Sequence, residues 1–98
     1  MEPAGKASAR PELPDGLGSL RIRIDEIDLG ILRLIEQRGA VVEEILRLKQ
    51  SSGRAVLDEA RERQLLDRLH GLHVGPHDWP AVELVFRQLL AMSRGLAK

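Results

Sequence analysis

LRIRIDEIDLGILRLIEQRGAVVEEILRLKQ, residues 20–50, contains no proline and keeps one apolar rhythm from end to end. Leu20, Ile24, Ile27, Ile31, Leu34, Val41, Ile45 and Leu48 follow alternating steps of four and three, the spacing of one continuous helical stripe. The stripe has a single break. The position due between Leu34 and Val41 is Arg38, and a cation in an apolar seam is costly unless something pairs with it. A lone arginine of this kind snorkels to solvent or meets a carboxylate of its own fold.

Lys49 follows Arg38 by eleven residues, which on an ideal helix returns it to within about 20° of the same face, roughly 16 Å along the axis. Val42 and Ile45 lie between them on that face. Two readings stay open here: an apolar wall with a cation at each end, suited to a small dianion with an apolar middle, or two solvated charges at the edge of a core stripe.

The whole chain has 98 residues, 43% of them hydrophobic, and 15 basic side chains balance 15 acidic ones. This is one small domain whose zero net charge argues against nucleic acid or an anionic membrane as its main partner. The absence of cysteine excludes a disulfide framework, a thiolate metal site and a thiol nucleophile. With Trp79 and Phe86 as the only aromatic residues, leucine, isoleucine and valine must fill the core. A domain of this size buries proportionally little surface, so the long stripe needs a second chain or a fold back on itself to cover it.

Residues 1–18 hold three of the five prolines and read as a flexible N-terminal tail, which leaves residues 19–98 as the folded domain. No apolar segment follows Lys6 and Arg10 as a secretory signal would require, and no stretch is long enough to span a membrane. The expected location is the cytoplasm.

The spacing predicts a first helix over 19–50 with Ser19 as N-cap and Gly30 and Gly39 inside it, ended by the Ser51–Arg54 turn at Gly53. Close approach of another helix would explain the two interior glycines, and two tolerated blemishes would serve equally. An extended piece, Ala55 to Leu57, leads to Asp58, which caps a second helix to about Leu72 with Leu65, Leu66, Leu69 and Leu72 on its apolar face. Asp58, Arg61 and Glu62 share one side of its first turn, an arrangement that ordinary capping and dipole chemistry also produces. The segment 70–78 turns the chain, and its three histidines read as surface loop residues rather than metal ligands because no helical ligand pair is present. Asp78 caps a third helix with Pro80 in its first turn. Val82, Phe86 and Leu89 form its stripe, flanked by Val85, Leu90 and Leu96, and the stripe leads to Ser93, a hydroxyl that bonds back to its own helix or serves a ligand.

Taken together, R-x3-D-x2-D from Arg21, the Arg38 and Lys49 pair, D-x2-R-E at Asp58, Arg61 and Glu62, and F-x6-S-R at Phe86, Ser93 and Arg94 resemble the all-helical (AroQ-type) chorismate mutases over approximately residues 20–96. The resemblance implies an all-α fold of the chorismate mutase II type: a three-helix protomer with a long N-terminal helix, intertwined with its twin in a homodimer that carries two active sites. It implies the Claisen rearrangement of chorismate to prephenate in phenylalanine and tyrosine biosynthesis, with no cofactor and no metal. Carried over by position, Arg38 and Lys49 hold the substrate carboxylates and Lys49 also donates to the ether oxygen. Arg21 reaches in from the other protomer, Asp58 and Glu62 engage the ring hydroxyl, Arg61 lines the pocket and Ser93 bonds a carboxylate. The implied catalytic set is Lys49, Arg38 and Glu62.

Helix geometry supports the trans role, because Arg21 stands about 34 Å along a straight helix from the midpoint of Arg38 and Lys49. A unimolecular pericyclic reaction needs no nucleophile, only a compact substrate pose and fixed donors where negative charge develops. One departure from the family pattern is Ala97, where a glutamine four residues after the serine commonly assists at the ether oxygen. A mutase that is weak alone is therefore expected, with activation by the first enzyme of the shikimate pathway as the implied partnership. The alternatives are isochorismate pyruvate-lyase or an aminodeoxychorismate mutase of the same fold, and a non-catalytic regulatory helical dimer.

Overall fold

The computed structural model describes residues 16–52 and 58–97. Among these residues three helices follow in order, α1 Leu17–Ser52, α2 Glu59–Leu72 and α3 Trp79–Leu96. The chain divides into two units, residues 1–37 and 38–98. In the first, the described residues are Gly16 and the opening turns of α1. The second holds the later turns of α1 together with α2 and α3.

The long helix starts two residues earlier than the capping pattern predicted. Gly16 takes a left-handed conformation, φ 79°, and its carbonyl accepts from the Leu20 amide at 3.3 Å. Glycine adopts that backbone without a Cβ penalty, so the turn falls at Gly16 and Ser19 lies inside the first helical turn instead of capping it. At the other end α1 continues past Gln50 to Ser52, with the Ser51 hydroxyl donating to the Leu48 carbonyl at 3.0 Å. The expected break at Gly53, the extended piece 55–57 and the greater part of the expected tail, residues 1–15, lie outside the described residues.

Asp58 caps α2 as its sequence position predicts, and its Oδ1 accepts from the Arg61 amide at 2.9 Å. Asp58 thereby satisfies one of the orphan donors of the first turn. Asp78 occupies the same position before α3 but makes no side-chain cap bond; only its backbone carbonyl is used, by the Ala81 and Val82 amides at 3.1 and 3.2 Å. Pro80 sits in the first turn of α3, where a missing N–H costs nothing.

α2 packs against α3. Leu66 and Leu90 are the buried hydrophobic residues of this packing, and Val82, Phe86 and Leu89 are half-buried along the predicted stripe. Leu90, expected at the flank, is thus central, while Leu72, expected on the apolar face of α2, is 67% exposed because it ends the helix.

The turn between the helices is set by Gly75 at φ 107°. Its neighbours correct part of the reading of the histidines as surface loop residues: His70 is exposed but helical, and His73 is half-buried. His70 belongs to the last turn of α2 and stacks on Trp79, the first residue of α3, with ring centroids 4.8 Å apart and planes 4° from parallel. His73, half-buried at the C-cap, tilts against the same indole at 5.8 Å, and its buried Nε2 makes no hydrogen bond among the described residues. His77 alone is an exposed loop residue.

Candidate active site

Residues 38–98 enclose a cleft of about 310 Å³, at the lower end of the roughly 300–1,000 Å³ typical of small-molecule sites. α1 contributes Val42, Ile45 and Leu46 as one wall, and Leu65 of α2 with Leu90 of α3 continue the apolar lining. Helical spacing explains the first wall: residues three and four apart share a face. Arg38 stands at the same face as those residues.

Arg38 crosses to α3. Its Nη1 donates to the Ser93 hydroxyl and to the Leu89 carbonyl, the latter at 3.4 Å. Ser93 in turn donates to the Leu89 carbonyl at 3.1 Å, so the serine bonds back to its own helix and accepts from the arginine at once. Both acceptors are neutral. Among the described residues, Arg38 is therefore oriented without being neutralised, and its charge is left to act on whatever enters the cleft.

Arg61 and Glu62 reach the cleft from the first turn of α2, and Arg94 reaches it from α3. Arg94 Nη1 donates to Glu62 Oε1 at 2.7 Å, an ion pair that ties α2 to α3. Three arginines against one glutamate leave the lining with two positive charges in excess. Ala97, the C-cap of α3, also lines the space.

Of the residues singled out from sequence, the cleft brings together Arg38, Arg61, Glu62 and Ser93, with Ala97 at its edge. Lys49 is half-buried in the last turn of α1 and does not line the cleft, although Val42 and Ile45 do. Asp58 is engaged at the cap of α2 and is outside the lining. Arg21 belongs to residues 1–37, the other unit.

Arg94 is the charged cleft residue to which sequence reasoning gave no role. Its signal was present: Leu90, Ser93, Arg94 and Ala97 stand at helical spacings of three, four and seven, one face of α3. Its pairing with Glu62, 32 residues earlier, depends on how α2 and α3 pack and has no local signature.

The family model for chorismate mutase type II matches residues 20–98. The chain belongs to the chorismate mutase type II family. It is 36% identical over 56 residues to a chorismate mutase of Methanocaldococcus jannaschii, a match covering 57% of each chain. It is 32% identical over 82 residues to a bifunctional chorismate mutase/prephenate dehydratase of Stutzerimonas stutzeri, covering 79% of this chain and 22% of that one. The matched part thus spans little more than half of one curated relative and under a quarter of the other. Two solved forms of a Thermus thermophilus chorismate mutase share the fold: form II with a TM-score of 0.80 at 31% identity, covering 83% of this chain and 92% of that chain, and form I with 0.77 at 31%, covering 79% and 96%. The three helices and the long first one are therefore those of the chorismate mutase type II fold. No helix among the described residues is long and apolar enough to cross a membrane.

Proposed function

We propose that the protein is a chorismate mutase that rearranges chorismate to prephenate. The observation that carries this reading is the charge of the cleft: an apolar space whose lining has two positive charges in excess, with Arg38 held by neutral acceptors. Such a lining suits a dicarboxylate of modest size. Glu62 supplies an acceptor for a ring hydroxyl, and Ser93, whose one hydrogen goes to the Leu89 carbonyl in the free chain, would meet a carboxylate by turning that hydrogen toward it.

The rearrangement moves one σ bond and two π bonds within a single molecule, with the ether C–O bond breaking as the new C–C bond forms. The protein's part is to hold the compact conformer and to stabilise the negative charge that gathers on the ether oxygen. Arg38 and Lys49 are assigned the first, by pairing with the carboxylates, and Arg61 lines the pocket beside them. Lys49 is assigned the second, as donor to the ether oxygen, a position it takes once ligand and partner chain complete the site. Asp58 has two carboxylate oxygens, so capping α2 through Oδ1 is compatible with a bond to the ligand hydroxyl through the other.

Arg21 is assigned to the site of a second protomer in an intertwined homodimer. The support is the seam of α1: every apolar residue of the stripe, from Leu20 and Ile24 through Leu34 at 64% to Leu48 at 69%, is exposed in the single chain. Apolar surface of that extent marks an interface. Ala97 gives a low basal rate, which a docked shikimate-pathway enzyme would raise.

The test is loss of chorismate absorbance with purified protein, identification of the product, and the same assay on Arg38→Ala. The reading requires prephenate from the parent and a loss on the order of 10²-fold or more in kcat/KM for the variant, since removing one charged donor from a preorganised site has that effect. Pyruvate release, or no turnover by the parent, would contradict it.

A further inference from the structure

Glu62 is the single acidic side chain lining the cleft among the described residues, and three guanidinium groups line it too. A carboxylate in such company pairs with one of them, and the arginine it pairs with is lost to an incoming anion. The pairing is therefore a choice with consequences for binding. In this fold Glu62 Oε1 is taken by Arg94 at 2.7 Å, while Arg38 is bonded to Ser93 and to the Leu89 carbonyl.

We propose that Arg94 is a positioning residue of the site: by holding the Glu62 carboxylate it keeps Arg38 and Arg61 available to the ligand and leaves Glu62 Oε2 to accept the ligand's hydroxyl. This rests on the reading of the cleft as a site for a hydroxylated dicarboxylate. Arg94 acts through Glu62 and needs no contact with the reacting atoms. Without it, Glu62 swings to Arg38 or to its chain neighbour Arg61, and the lining loses both a cation for the dianion and an oriented acceptor.

The pair contributes little to stability, because its side chains are 45% and 24% exposed and solvent screens them. Replacing Arg94 therefore leaves the fold intact, which thermal unfolding of each variant checks. The experiment is a double-mutant cycle on chorismate turnover with Arg94→Ala, Glu62→Gln and the double variant, with Arg94→Lys as the conservative replacement. Arg94→Ala is expected to lower kcat/KM by about tenfold, chiefly through KM, because ground-state binding of the dianion is what it weakens. Arg94→Lys, which keeps the charge but not the fork, recovers most of that loss. In the Glu62→Gln background, Arg94→Ala changes kcat/KM by less than about twofold, since there is no carboxylate left to hold.

Independent losses that multiply in the double variant would overturn the inference by showing that Arg94 serves the ligand itself. An Arg94→Ala variant as active as the parent would overturn it by showing the pair to be idle. Both outcomes leave the mutase reading standing. A parent with no turnover would instead remove that reading and this inference together.

Discussion

Ala97 lines the cleft from the C-cap of α3, one helical turn beyond Ser93 and beside the carbonyl end of the helix, where its amide donates to the Arg94 carbonyl at 3.1 Å. A methyl group there offers no donor to an oxygen that gains charge during reaction. A glutamine at the same position, as the family pattern leads one to expect, would extend an amide into the space from the same wall. Ala97→Gln is accordingly expected to raise kcat on the order of 10²-fold with a smaller change in KM, because a donor aimed at developing charge acts on the transition state more than on the substrate. Steady-state kinetics on chorismate decide this, and an unchanged kcat would mean that another group already fills the donor's role. At this scale the sequence was a partial guide. Arg38 stood out because its charge broke an apolar rhythm, and Ser93 because a hydroxyl followed one. The relation between them, a donor and its acceptor on helices 55 residues apart, belongs to tertiary packing and has no spacing to betray it. Lys49 shows the same limit from the other side: the eleven-residue spacing fixes its angle about α1, but the cleft ends where α2 and α3 end it.

The turn between α2 and α3 is closed by a cluster of rings that periodicity did not reveal. His70 and His73 both meet Trp79, and the stacked pair joins the last turn of one helix to the first residue of the next. Trp79→Ala is expected to destabilise the chain by about 2 kcal/mol, below the range for a fully buried tryptophan because this one is half-buried. Chemical denaturation measures it, and a loss under about 0.5 kcal/mol, the scatter of ordinary surface substitutions, would show the ring cluster to be incidental. Helix existence and order were legible because the 3.6-residue rhythm is strong and Asp58 and Pro80 mark starts with a physical mechanism. Ser19 misled because a serine before an apolar run has the chemistry of a cap, while Gly16 has the backbone freedom to turn the chain sooner. The histidines misled because glycine and proline nearby suggested an exposed loop, whereas an indole across the turn gave two of the rings a partner.

For the molecule as a whole the decisive quantity is how little of it is buried. Leu66 and Leu90 are the buried hydrophobic residues of the described chain, and the seam of α1 is open along its length. So small a core does not by itself balance the entropy of ordering a long helix, and the proposed dimer would make association part of folding rather than an addition to it. In the dimer we propose, an antiparallel copy covers the seam and brings an Arg21 to each cleft, so every active site draws on two chains. The most direct measurement is complementation between two inactive variants, Arg21→Ala and Arg38→Ala, co-expressed with different tags and purified through both. Each heterodimer then carries one doubly altered site and one intact site. The predicted result is that the parent and the heterodimer both form prephenate, the heterodimer at about half the parent's rate per dimer, while each homodimer is inactive. A heterodimer as inactive as its components, or an Arg21→Ala homodimer as active as the parent, would contradict the shared site.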